Sequence, residues 1–328
     1  RKSVLFSLSI LILVISIIFV LIGEVTAPYL ANIFGDFQSY YSSLRISVYI
    51  VAVSVLNNIF QNKLRADEKS VFYTSLNLIK LVIMLIVTIY FIVNLKLGID
   101  GVLYGQLISE IFVFIIILPP MIKQMEFKYD SKVISTSLKF GIPLIFSALS
   151  MTLLNISDRF LIKFLANEEA LGLYELGYRV AGILNMFFIM PISLTLLPVA
   201  YKIYNHPGDK EYYKKIMTYV TYLLVWGALF LSVFSKEIIT LFSSNVSFIP
   251  AFKVVPIILL SYVFFGMSLI SSLGFYLLGK TSYVAIITIV SALLNIGLNF
   301  ILIPKYGIMG AAINTLIAFV FLYFISLI

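Results

Sequence analysis

Ten stretches of about twenty residues, each nearly free of charge, decide what solvent this chain folds in. They lie near 3–22, 44–61, 73–94, 100–120, 140–162, 174–198, 215–234, 253–278, 282–303 and 307–328. A helix needs about 20 apolar residues to cross the roughly 30 Å hydrocarbon layer. Each run suffices for one crossing, and none shows the sustained alternation of a barrel strand. The first lacks a small-residue cleavage site and nine comparable runs follow it, so it reads as a span and not a signal peptide. Composition agrees: 61% of residues are hydrophobic and 12% charged, with a mean hydropathy of +1.07. Soluble domains run near half and a quarter. The expected fold is an all-α polytopic membrane protein with the lipid bilayer as its solvent.

The formal net charge of +8 has to be read loop by loop against that bilayer. Ten crossings put fourteen Lys and Arg on the side of the first residue and eight on the other. The positive-inside rule assigns the richer side, and both ends of the chain, to the cytoplasm. The longest connections on that side, 121–139 and 199–214, are also the most basic. Topology accounts for this charge without any nucleic acid, and recognition of lipid head groups is the alternative reading of these loops.

A repeat then organises the spans. Leu97-Gly-Ile-Asp-Gly-Val-Leu-Tyr returns as Tyr306-Gly-Ile-Met-Gly-Ala-Ala-Ile, each preceded by a lysine and followed by a helix. Glu-Lys-Ser at 68–70 matches Gly-Lys-Thr at 279–281, and Glu24 matches Glu237. The offsets, 209 to 213 residues, keep one order, so the first four spans correspond to the last four. Spans five and six have no counterpart upstream. The expectation is ten visible helices of twelve, in two pseudo-symmetric six-helix lobes related by an axis along the membrane normal. Residues 1–122 would form a first lobe lacking two helices, 123–138 a cytoplasmic linker, and 139–328 the second lobe.

Enzyme chemistry finds no residues to work with. There is no cysteine, and the one histidine, His206, sits in a polar loop without a metal-sharing partner. Gly279-Lys280-Thr281 lacks the upstream glycine of a phosphate-binding loop and reads as a hairpin. No cofactor and no catalytic residue is expected.

Charge inside the membrane is costly and therefore points to function. Lys80 and Glu110 fall at nearly one depth on spans joined by a short turn, about 12 and 15 Å in at 1.5 Å per residue, and are expected to pair. Glu110 would then serve ion coupling or structure. Arg159 closes the fifth span and Arg179 opens the sixth on the same side. Two guanidiniums there could capture a phosphate or sugar-acid oxyanion, or could pair with Asp158 and Glu175. Arg45 stands at the outer start of the second span. Prolines 143, 191, 198 and 256 shape helices, while Asn155, Asn185, Asn295 and Asn299 read as interhelical hydrogen-bonding groups.

Ser157-Asp-Arg-Phe-Leu-Ile162, then Ala170-Leu-Gly-Leu-Tyr174 and Tyr178-Arg179, resembles a region of polysaccharide exporters. Phe140-Gly-Ile-Pro143 and Lys305-Tyr-Gly-Ile-Met-Gly310 fit the same group, the Wzx-type O-antigen and capsule flippases of the multidrug/oligosaccharidyl-lipid/polysaccharide (MOP) superfamily. The resemblance covers essentially the whole chain. It implies a MATE-like fold in a bacterial plasma membrane. It also implies flipping of a polyprenyl-pyrophosphate-linked oligosaccharide from the inner to the outer leaflet by alternating access, for lipopolysaccharide O-antigen or capsule. A polysaccharide polymerase and glycosyltransferases would be its partners. Arg159 and Arg179 are the positions onto which it carries head-group binding, and Lys80 and Arg45 join them as candidate substrate-binding residues by their place in the spans alone. Two other readings stay open: a cation-coupled multidrug exporter of the same superfamily, and a non-transporting scaffold of a glycan-synthesis complex.

Overall fold

A computed structural model describes residues 2–33, 37–242 and 246–328. The described residues are helical, without a strand among them. Among the described residues nine helices are long and apolar enough to cross a membrane, and the last of them contains two crossings. It runs Thr281–Ile325 but breaks at Gly307, whose φ of 56° and ψ of −136° are not helical. The ten expected spans are thus all present.

The chain divides into two compact units, Arg1–Ser137 and Leu138–Ile328. In the first, α1 (Lys2–Ile33) packs on α2 (Phe37–Ala66), and α2 and α3 (Ser70–Val93) both pack on α4 (Gly98–Ile122). Leu5, Phe60, Leu64, Leu76, Ile117 and Met121 interlock as its core. The second unit comprises most of α5 (Ser131–Leu165), then α6 (Glu168–Leu184), which continues through a π-helical turn (Asn185–Ile189) into α7 (Met190–Ile203). There follow α8 (Asp209–Val233), the short α9 (Ser235–Phe242), a 3₁₀ stretch (Val246–Lys253), α10 (Val255–Ser271), α11 (Leu273–Leu277) and α12 (Thr281–Ile325). Its largest core gathers Ile162, Tyr174, Leu184, Leu224 and Ile258, all nearly or fully inaccessible. Leu21, Ile86 and Trp226, each more than 60% exposed, show the opposite rule on outward faces. Lipid tails are as apolar as a leucine, so helices satisfy their own backbone and leave such side chains outside.

Local chemistry sets the helix ends. Asn167 caps α6, its side chain accepting the Ala170 amide at 2.7 Å, and Glu168 and Glu169 follow in the first turn. Asp130 accepts the Lys132 amide at 2.9 Å ahead of α5. This helix begins at Ser131 and not at 140, so half of the expected 123–138 connection is helical. Lys132 and Lys139 ended the apolar window there, but a helix can extend past the hydrocarbon as long as its charges face water.

The sequence repeat is also a repeat of backbone. Gly98 and Gly307 share a left-handed φ of 55° and 56°. Glu68 and Gly279 both end a helix with positive φ, at 59° and 69°. In each case the next lysine amide bonds five residues back, Lys69 to Leu64 at 2.9 Å and Lys280 to Phe275 at 2.8 Å. Both are Schellman turns, which satisfy carbonyls that a helix end would otherwise orphan.

Candidate functional site

Three constellations place polar groups inside the spans. The first lies in the Arg1–Ser137 unit. Glu110 on α4 is 3% exposed and forms the expected ion pair with Lys80 on α3. Asn57 on α2 donates its Nδ2 to the other carboxylate oxygen at 2.7 Å and to the Glu110 carbonyl at 2.9 Å. One carboxylate thereby ties three helices together. Nearby in the chain, Arg45 is held by Glu24, its Nε 2.8 and 3.0 Å from the two oxygens, with Tyr41 under the guanidinium at 5.4 Å.

The second lies in the Leu138–Ile328 unit and was not foreseen. Asp158, 1% exposed, turns inward, away from the pairing with an arginine that sequence allowed. Its Oδ2 accepts from the Tyr174 hydroxyl at 2.8 Å and from Thr315 Oγ1, and its Oδ1 from Asn299 Nδ2 at 2.6 Å. Around it Ser157 donates to Asn295 Oδ1 at 2.8 Å, and Asn314 Nδ2 to the Asn295 carbonyl at 2.6 Å. Asn295 Nδ2, Asn299 Oδ1 and Asn314 Oδ1 are buried without a partner. Among the described residues no cationic side chain pairs with Asp158. The carboxylate rests on neutral donors from α6 and both arms of α12.

The third is a cavity of about 430 Å³ in the same unit. Asn155, Arg159, Tyr178, Asn185, Ser193 and Tyr262 supply its polar lining, and four apolar side chains the rest. Arg159 is locked from three sides. It ion-pairs with Glu175, donates Nη1 to the Asn155 carbonyl at 2.8 Å, and lies 4.5 Å over the Tyr178 ring. Tyr178 in turn donates to Asn155 Oδ1 at 3.1 Å and meets Tyr262 edge-on at 5.9 Å. The π-helical turn begins at Asn185, and the Met190 amide reaches back to its carbonyl. Such turns insert an extra residue and cluster at functional sites.

Arg179 has another fate. Its side chain is 81% exposed, its Nε stands 4.0 Å from Glu175, and it does not line the cavity. The structure thus brings both arginines to one glutamate but only Arg159 to the cavity. Helical phase explains the split, because Tyr174, Tyr178 and Ala181 define the buried face of α6 and Arg179 falls outside it. No group of three or more His, Asp or Glu placed to hold a metal occurs among the described residues.

Comparison with known proteins follows the same lines. A family model described as "Polysaccharide biosynthesis protein" matches residues 2–246. Among solved structures the chain is similar to a MATE protein in a straight conformation, with a TM-score of 0.86 at 16% identity. A MOP superfamily transporter from Pyrococcus furiosus, described as having a binding pocket of reverse polarity, matches with a TM-score of 0.87 at 16% identity. A MATE transporter from Vibrio cholerae matches with 0.83, also at 16%. Each comparison covers 99% of this chain and 77% of the other. No curated protein matches by sequence.

Proposed function

The chain belongs to the polysaccharide biosynthesis protein family, and from that premise we propose that it flips a polyprenyl-pyrophosphate-linked oligosaccharide from the inner to the outer leaflet of a bacterial plasma membrane. It is a multi-pass membrane protein with the fold of MATE transporters. What carries the reading is the family joined to a polar cavity inside the spans of the second unit. A pyrophosphate-sugar head group cannot cross hydrocarbon unaided, because its hydrogen bonds to water must be replaced on the way. Arg159 and the amides and hydroxyls around it offer replacements, while the polyprenyl tail stays in lipid. No bond need form or break, so the activity is transport and not catalysis. The termini are cytoplasmic, as the lysine distribution argues.

Directional release requires two states with different affinity for the head group. Of the two carboxylates buried among the described residues, Asp158 is the better fitted to bias such states by exchanging a proton. Doing so strands no buried cation, whereas Glu110 neutralises Lys80.

A multidrug exporter is the competing reading, and the cavity disfavours it: no carboxylate lines it to receive a cationic drug, and its one charged lining side chain, Arg159, already holds Glu175 in an ion pair. A deletion strain decides between them. The flippase reading expects lipid-linked oligosaccharide to accumulate and surface glycan to vanish. The wild-type gene should rescue, and an Arg159→Ala copy should not. Normal surface glycan with new sensitivity to cationic drugs would overturn it.

A further inference from the structure

Every cation that membrane depth singles out in this chain is already engaged by a glutamate. Arg45 is held by Glu24, Lys80 by Glu110 and Arg159 by Glu175, and Arg179 leans on Glu175 from outside the cavity. A pyrophosphate seated beside Arg159 would meet a charge already balanced by Glu175 immediately behind it. Capture of a multiply charged anion calls instead for unspent donors on uncompensated cations. The cavity has none.

It does have the complement of an uncharged, hydroxyl-rich ring. The Arg159–Glu175 pair and the Tyr178 ring hold a guanidinium rigid while some of its five N–H groups stay available. Asn185 brings an amide that can both donate and accept, and Ser193 and Tyr262 bring hydroxyls. Between these groups Phe265 and Leu269 expose apolar surface suited to the C–H face of a pyranose. The volume, about 430 Å³, lies in the range of small-molecule sites, about 300–1,000 Å³.

We infer that this cavity is a sugar subsite: it reads a neutral pyranose of the oligosaccharide by hydrogen bonds, and leaves the pyrophosphate to be held elsewhere. The inference rests on the flippase reading and narrows it. Selectivity follows, because a site built to bond a hydroxyl strongly rejects the analogue that lacks it. Asn185 and Tyr262 become specificity-determining residues, with Arg159 as the rigid donor between them.

The test uses the full-length protein in lipid nanodiscs, with a panel of neutral hexoses and N-acetylhexosamines as probes and saturation-transfer NMR as the readout. At least one sugar should take up saturation at its ring protons. Raising the salt about tenfold should leave that signal unchanged, since no net charge is recognised. Inorganic pyrophosphate should not displace the sugar. Asn185→Ala should weaken binding about five- to tenfold, as loss of one or two hydrogen bonds does. Ser193→Ala, at an exposed position, reports a smaller loss should Asn185→Ala fail to fold. Displacement of the sugar by pyrophosphate, salt-sensitive binding of pyrophosphate alone, or no binding by any sugar of the panel overturns the subsite. Failure of the flippase reading shows separately, in the deletion strain. Accumulated lipid-linked oligosaccharide in that strain, together with a protein that binds no sugar, would sink the subsite and spare the flippase.

Discussion

Among the described residues two carboxylates are buried in the spans, and the two units treat them differently. Glu110 in the first unit is bound to a cation, Lys80, and tied to a third helix through Asn57. Asp158 in the second is wrapped by a tyrosine, a threonine and an asparagine, all neutral. The repeat sharpens the contrast. Carried over at offsets of 211 and 209, Lys80 and Glu110 correspond to Ser291 and Phe319, both buried, so the second unit has no such ion pair in its matching hairpin. A buried pair is expensive to break, because removing one partner strands the other. A carboxylate held only by neutral donors can change its charge without stranding a cation. The first arrangement suits a fixed strut and the second an exchangeable site.

The largest expected effect breaks the strut. Lys80→Met leaves Glu110 buried and unpaired and should cost about 3 kcal/mol or more. Replacing both, as Lys80→Met with Glu110→Leu, should recover most of that loss in thermal unfolding of the reconstituted protein. Asp158→Asn should behave oppositely, staying within about 1 kcal/mol of wild type: the amide oxygen keeps an acceptor for Tyr174 and Thr315, and its NH2 gains Asn299 Oδ1, now without a partner, once the Asn299 amide turns over. It should nevertheless stop transport. Equal melting losses in Lys80→Met and Asp158→Asn would erase the distinction.

A middle-sized effect compares the two hairpins that share the repeat. A Cβ added at Gly310 would lie 2.2 Å from the Leu302 carbonyl oxygen, a backbone atom that cannot swing aside. At Gly101 the nearest atom, Phe91 Cβ, is 3.2 Å away. Gly310→Ala should therefore destabilise by about 1–3 kcal/mol and Gly101→Ala by less, measured side by side. The reverse order would mean that the α12 hairpin is looser than its counterpart.

The smallest effect probes the paired turns. Glu68 holds a left-handed φ of 59° where its repeat partner is Gly279. Glu68→Gly should stabilise by about 0.5 kcal/mol, and Gly279→Ala should destabilise by about 1 kcal/mol. Loss of stability on Glu68→Gly would show that the glutamate side chain contributes more than its backbone strain removes.

The spans were legible because a bilayer demands twenty-residue apolar windows, and the Lys80–Glu110 pair because residues equidistant from a short turn meet across a hairpin. The Asp158 cluster was not. It joins residues up to 157 positions apart on α5, α6 and α12, and its asparagines are indistinguishable in sequence from ordinary interhelical glue. The split between Arg159 and Arg179 could have been found, since Tyr174, Tyr178 and Ala181 already mark the inward face of α6. The early start of α5 was hidden by Lys132 and Lys139, which end an apolar window without ending a helix.

One measurement reaches the central claim most directly. The purified protein is placed in liposomes that carry polyprenyl-pyrophosphate-linked oligosaccharide in both leaflets, and a membrane-impermeant glycosidase is added outside. The account predicts that digestion passes the outer-leaflet half and runs towards completion with wild-type protein, and halts at about half with Asp158→Asn or with empty liposomes. Digestion that halts at the outer leaflet with active wild-type protein present would contradict it.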